Sequence, residues 1–249
     1  MPATLRHAAP ANDAALADPQ VADHRLIVAL DLPTRAEAES LVEILGDAVS
    51  FYKIGLQLFA TDGMAMASDL RARGRSLFLD WKLHDIGTTV EKAAAAIVGT
   101  GACDLLTVHA HPQVLKAAVK GRGGETSAKI LGVTVLTSLN GQDLAEMGYG
   151  MGVEALVERR IRQVQDAGAD GVVASPHEAA LARRIGGPDF LVVTPGVRPD
   201  WSSKDDQARA ATPAETLANG ASHVVVGRPI TAAADPRAAA LRIAQEMRG

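Results

Sequence analysis

The chain has 249 residues, 47% of them hydrophobic, yet only four Phe, two Tyr and two Trp. Lys and Arg number 25 against 29 Asp and Glu, a formal net charge of −4. That balance disfavours nucleic-acid or membrane-surface binding, which needs a basic excess. A compact chain of this length buries roughly 70–75% of its unfolded surface and needs no disulfide or metal staple. The single cysteine, Cys103, can form no internal disulfide, which fits a reducing cytoplasm.

Residues 1–24 are Ala-rich, with scattered prolines and with Asp13, Asp18 and Asp23. They lack the apolar core of a secretory signal and the acid-poor character of a transit peptide. They read as a flexible extension outside the fold, and no stretch of the chain has the apolar length of a transmembrane helix. Over 25–249, short aliphatic runs alternate with helical patterns. The runs are LIVAL (26–30), SFYKIG (50–55), SLFLDWK (76–82), DLLTV (104–108), ILGVTVL (130–136), GVVAS (171–175), FLVVTPG (190–196) and HVVVG (223–227). Each is rich in Val, Ile or Leu on both parities, as parallel strands buried on both faces are. The stretches between them, such as TRAEAESLVEILG and VEALVERRIRQVQDAGA, are amphipathic and end near glycine. Eight strand–helix units without an internal linker predict an α/β chain folded as one (β/α)₈ TIM barrel. An open doubly wound sheet is the competing architecture, but the first run leads into Asp31-Leu32-Pro33-Thr34 rather than a GxGxxG turn.

In such a barrel the chemistry sits at the C-terminal ends of the strands. Those ends carry Asp31, Lys53, Asp80 with Lys82, His109, Thr137, Pro195 and Gly227-Arg228. Asp80 and Lys82 are two apart on an apolar strand, so with Phe78 both should face the barrel interior. Asp85 follows where the chain turns toward a helix. One Asp–Lys pair reads equally well as a structural ion pair. Charges at a buried strand end are costly unless they pair or meet a ligand, and alternating Asp31, Lys53, Asp80, Lys82 and Asp85 at one barrel face are hard to justify by stability alone. Opposite, Gly227 permits close approach to a backbone N–H, Arg228 offers a cationic fork, and Pro229 suits a helix start. With TPGVRP after the seventh run and the polar segment 197–210 behind it, this predicts a phosphate site under a mobile lid. His84, His109 and His111 lack an evident set of metal-ligand spacings. Cys103 reads as core and VEALVERRIRQV as a solvated helix face.

The segments ALDLP (29–33), FYKIGLQLF (51–59), LDWKLHDIGTTV (79–90), TVHA (107–110), VTVLTS (133–138), TPGVRP (194–199) and VVVGRPI (224–230) resemble, in order, those of the orotidine 5′-phosphate decarboxylase family. The resemblance covers nearly everything after residue 25. It implies removal of CO₂ from orotidine 5′-phosphate to give uridine 5′-phosphate, the last step of de novo UMP synthesis, without metal or organic cofactor. It further implies that Asp31 and Lys53 hold the ribose hydroxyls, Asp80 lies against the substrate carboxylate, and Lys82 donates a proton to C6. Asp85, Ile86 and Thr89 would enter the partner's site of a two-fold homodimer. Thr137 and Ser138 would meet the pyrimidine or ribose side, with Pro195 at the same mouth. Gln207 would bridge base and phosphate, while Arg198, Gly227 and Arg228 would bind the phosphate. The chain departs from many family members at Gly87-Thr88, where they have Pro-Asn. Related Mg²⁺-dependent sugar-phosphate barrels place a glutamate ligand where this chain has Lys53, which argues against them. A non-catalytic nucleotide-phosphate binder would be expected to lack Lys82 or one of its aspartates.

Overall fold

The structure, a computed structural model, describes residues 22–124, 126–202 and 211–249. Eight parallel strands follow one another around a closed barrel. They are β1 (Leu26–Ala29), β2 (Phe51–Ile54), β3 (Ser76–Leu83), β4 (Leu105–His109), β5 (Lys129–Val133), β6 (Gly171–Val173), β7 (Leu191–Thr194) and β8 (His223–Val226). β8 pairs back onto β1, with Val224 opposite Leu26 and Val226 opposite Val28, so the open sheet is excluded. Each aliphatic run of the sequence holds one strand, and helices lie between consecutive strands.

The strand period of two divides the apolar residues into two cores. Ile27, Ala29, Phe51, Phe78, Leu105, Leu131, Val193 and Val225 fill the barrel interior. The opposite parity, including Leu26, Val28, Tyr52, Leu77, Leu79 and Leu106, packs outward beneath the helices. Both faces are therefore buried, which is why the runs do not alternate with polar residues. Each large aliphatic side chain so buried contributes about 1.5–3 kcal/mol.

Local signals set the helix starts. The helix Arg35–Leu45 opens on a capping box in which Glu37 N–H donates to Thr34 Oγ1 and Thr34 N–H to Glu37 Oε2. The helix Pro213–Ala218 repeats the device with Thr212 and Glu215. At the foot of the barrel, Leu26 N–H donates to the Asp23 carbonyl at 2.9 Å. His24 Nδ1 meets Ser50 Oγ at 3.0 Å, and the His223 ring stands edge-on to Phe51 at 5.7 Å. Cys103 lies buried at the same end, and burial pushes its thiol up to about 12, as expected of a core residue. No described helix is long and apolar enough to cross a membrane.

Candidate active site

β3 carries the central charges to the mouth of the barrel. Lys82 Nζ lies 2.8 Å from Asp80 Oδ1, so the two side chains converge as their spacing predicts. They do so with a departure from plain strand alternation. The β3–β4 register shifts between Leu79 and Leu83. Lys82 has φ +49°, the only positive φ at a non-glycine among the described residues. Such a conformation costs of order 1–3 kcal/mol and persists only where its surroundings enforce it. Here the Lys82 N–H, turned out of the ladder, donates to Thr107 Oγ1 at 2.9 Å. The Thr107 hydroxyl in turn donates to Asp80 Oδ1 at 3.1 Å.

β1 and β2 complete the array. Lys53 is only 7% exposed. Its Nζ lies 2.8 Å from Asp31 Oδ1 and 3.6 Å from Asp80 Oδ2. Asp80 thus stands between two ammonium groups, and the buried cation of Lys53 between two carboxylates, which offsets the cost of removing these charges from water. Gly55 makes room for this arrangement. A Cβ there would fall 2.5 Å from Asp31 Oδ1 and 3.0 Å from Lys53 Nζ.

The same pair borders a cavity of about 310 Å³ that Pro195, Gly196, Arg198, Gly227 and Arg228 also line. Gly196 has φ +79° and turns the chain sharply after β7. Arg198 follows, 8% exposed, with its N–H donating to the Ala211 carbonyl at 3.0 Å. That bond closes the base of the segment read as a lid. Trp201 anchors its entry, donating from Nε1 to Glu246 Oε1 at 2.7 Å while the Arg242 guanidinium lies 4.5 Å from its ring centroid. Gly227 and exposed Arg228 lead into the short helix Arg228–Thr231, with Pro229 in its first turn. The predicted phosphate residues and the Asp31–Lys53 pair therefore share one cavity.

Other predicted residues stand apart. Asp85 is exposed and accepts a local bond from Ile86 N–H, at 2.6 Å. Ile86, 68% exposed, precedes the helix Gly87–Gly99, and Thr89 is exposed in its first turn. Within one chain these three do not join the Asp80–Lys82 array. Thr137 and Ser138 lie beyond β5 in a turn closed by Leu139 N–H to the Leu136 carbonyl at 2.9 Å. Gln207 lies outside the described residues.

Sequence reasoning passed over three positions. Thr107 was signalled by parity, being a polar residue at an inward position between Leu105 and His109 of β4. Gly55 carried no local signal, because only the folded chain brings Asp31 against it. Arg160 was misread: VEALVERRIRQV is not solvated throughout, since Arg160 lies on the buried face of the helix Val153–Asp166. Beside it, His84, His109 and His111 line a cavity of about 240 Å³ with Tyr149 and Arg160. Burial, with smaller contributions from His84, His111, Arg160 and Lys82, lowers His109 to about 4. His111 is lowered too, again mainly by burial. The rings of His84 and His111 stack at 4.7 Å, and among the described residues no cluster of three such side chains is arranged to hold a metal ion.

Known proteins share this architecture and sequence. The model of the Orotidine 5′-phosphate decarboxylase / HUMPS family matches residues 24–243. A protein of Caulobacter sp. (strain K31) named orotidine 5′-phosphate decarboxylase is 66% identical over 228 residues, which is 92% of this chain and 99% of that protein. A namesake from Methylobacterium radiotolerans is 53% identical over 232 residues, 93% of this chain and 98% of its own length. The crystal structure of Orotidine 5′-phosphate decarboxylase from Lactobacillus acidophilus matches with a TM-score of 0.81 at 37% identity, covering 91% of this chain and 100% of that one. With its barrel, its interleaved charges and its sequence all in agreement, the chain belongs to the orotidine 5′-phosphate decarboxylase / HUMPS family.

Proposed function

We propose that the chain converts orotidine 5′-phosphate to uridine 5′-phosphate and CO₂, the final step of de novo UMP synthesis, with Lys82 as proton donor. The observation that carries this reading is the array Asp31–Lys53–Asp80–Lys82 at the barrel mouth, beside a cavity lined by Arg198 and Arg228. The substrate has an anion at each end, a carboxylate on the base and a phosphate on the ribose. Arg198, Arg228 and the backbone at Gly227 take the phosphate, and Asp31 and Lys53 take the ribose hydroxyls. Thr137 and Ser138 face the base.

The C6–carboxylate bond then lies against Asp80 and Lys82. As it breaks, CO₂ leaves and its bonding electron pair remains on C6. The Lys82 ammonium, held 2.8 Å from Asp80, stabilises that developing charge and then transfers a proton to C6. The resulting amine recovers its proton from solvent. Asp80 orients the ammonium and places negative charge beside the departing carboxylate. Phosphate binding remote from C6 supplies energy that orders the charged site.

No step of this scheme calls for a metal or an organic cofactor. A Mg²⁺-dependent sugar-phosphate reaction on the same barrel would need an acidic ligand where Lys53 stands, and the ammonium there repels a cation. Asp85, Ile86 and Thr89, exposed on one chain, are suited to complete a partner's site in a two-fold homodimer. A cytoplasmic location accords with the single, buried thiol of Cys103.

The test is direct. Purified protein is mixed with orotidine 5′-phosphate in EDTA and the ultraviolet absorbance of the pyrimidine followed. Turnover at full rate is expected. Absence of turnover, or turnover that appears only on adding Mg²⁺, refutes the reading.

A further inference from the structure

We propose that Arg160 is a positioning residue for nucleobase recognition, holding the end of β5 so that residues 136–138 present Thr137 and Ser138 to the pyrimidine. The inference rests on the reading of the barrel mouth as a pyrimidine-nucleotide site.

Arg160 projects from the buried face of its helix, among Leu156, Val157, Ile161 and Val164, and is 8% exposed. Neighbouring Arg162 instead turns outward and pairs with Glu158 at 2.8 Å. The Arg160 guanidinium donates from Nη1 to the Thr134 carbonyl at 2.8 Å and from Nη2 to the Tyr149 hydroxyl at 2.8 Å. Its central carbon lies 5.6 Å from the Tyr149 ring centroid. No salt bridge from Arg160 to a carboxylate forms among the described residues. A buried cation held only by neutral acceptors is costly, and an aliphatic side chain would serve packing better.

What the guanidinium supplies is a fixed geometry where the sheet runs out. Pairing between β5 and β6 ends at Val133 and Val173. Thr134 N–H and Oγ1 both still donate to the Val173 carbonyl, at 3.3 and 3.0 Å. The Thr134 carbonyl receives Arg160. Two residues later the 136–139 turn begins, and it leads to Asn140, which caps the helix Gly141–Glu146. Thr137 and Ser138 thus sit on a short span pinned at one end by Arg160 and at the other by the Asn140 cap. Tyr149, reached by the same guanidinium, ties the chain beyond that helix into the same node.

Arg160 does not line the charged cavity, so its loss should act on the base and not on the phosphate. The experiment measures inhibition of decarboxylation by UMP and by ribose 5-phosphate, which lacks the base. Arg160→Met keeps the apolar stem and removes both bonds. It should weaken UMP inhibition roughly tenfold or more, the scale of a lost charge-assisted hydrogen bond, and leave ribose 5-phosphate unchanged. Arg160→Lys, which can still reach one carbonyl, should recover most of the loss. Tyr149→Phe should shift UMP in the same direction by less, and supplies the test if the methionine variant does not fold. Equal weakening of both ligands, or unchanged UMP inhibition, overturns the proposal. Wild-type protein that decarboxylates nothing and binds neither ligand overturns the pyrimidine-nucleotide reading itself, and the role of Arg160 falls with it.

Discussion

The Thr107 hydroxyl is bonded to both ends of the Asp80–Lys82 unit: it accepts from the Lys82 N–H at 2.9 Å and donates to Asp80 Oδ1 at 3.1 Å. One β4 side chain therefore holds the Lys82 backbone in its left-handed conformation and orients the carboxylate beside it. Thr107→Val, nearly the same shape, deletes both bonds and leaves a partly buried N–H without its acceptor. An unsatisfied donor of this kind costs about 1–3 kcal/mol. Turnover should fall roughly 10–100-fold, with KM much less affected. Steady-state kinetics on orotidine 5′-phosphate would show this, and an unchanged kcat would refute the assignment.

Lys82→Ala should abolish turnover while phosphate-dependent binding of UMP stays measurable. General-acid and electrostatic contributions together make the loss roughly 10³-fold or more. A near-normal single-turnover rate in this variant would remove Lys82 from the proton-donor role.

Gly55→Ala tests the space that the Asp31–Lys53 pair requires. Gly55 has φ −89° and ψ −174°, which any residue adopts, so alanine brings no backbone strain. Its methyl would lie 2.5 Å from Asp31 Oδ1. Asp31, whose side chain is half exposed, has room to swing away from Lys53. The expected result is a KM raised roughly tenfold, on the scale of one charged hydrogen bond, with a thermal midpoint close to that of the wild type. Comparison of KM with the melting curve separates this from general destabilisation.

The histidine at the foot of the barrel should make stability pH-dependent. Burial lowers His223 from 6.5 to about 4. Between those values the unfolded chain binds a proton that the folded chain does not, so stability rises with pH in that window. Stability is full above about 6.5, falls as the pH drops toward about 4, and levels off below it. Denaturant unfolding across this range should show a shallower slope for His223→Leu than for the wild type. Parallel slopes would show that the ring does not contribute.

Much of this site was legible before folding because it depends on short spacings. Asp80 and Lys82 lie on one inward parity, Asp31 and Lys53 end adjacent runs, and Arg198 and Arg228 follow the seventh and eighth. The barrel then brings these strand ends to one rim. Asp85, Ile86 and Thr89 stand exposed outside the array on a single chain.

The sequence by itself determined the eight buried strands, their order and the identity of the charges at the mouth, because period and parity are properties of neighbouring residues. Tertiary structure alone decided how those charges are held. The Lys82–Thr107 bond joins residues 25 apart, the Arg160–Thr134 bond residues 26 apart, and Gly55 is constrained by Asp31, which lies just beyond the end of β1. Parity marks Thr107 as inward-facing, but which groups pair with which cannot be read from local periodicity. These contacts exist because closing the barrel forces polar groups at the strand ends to find their partners across the fold, where water no longer serves them.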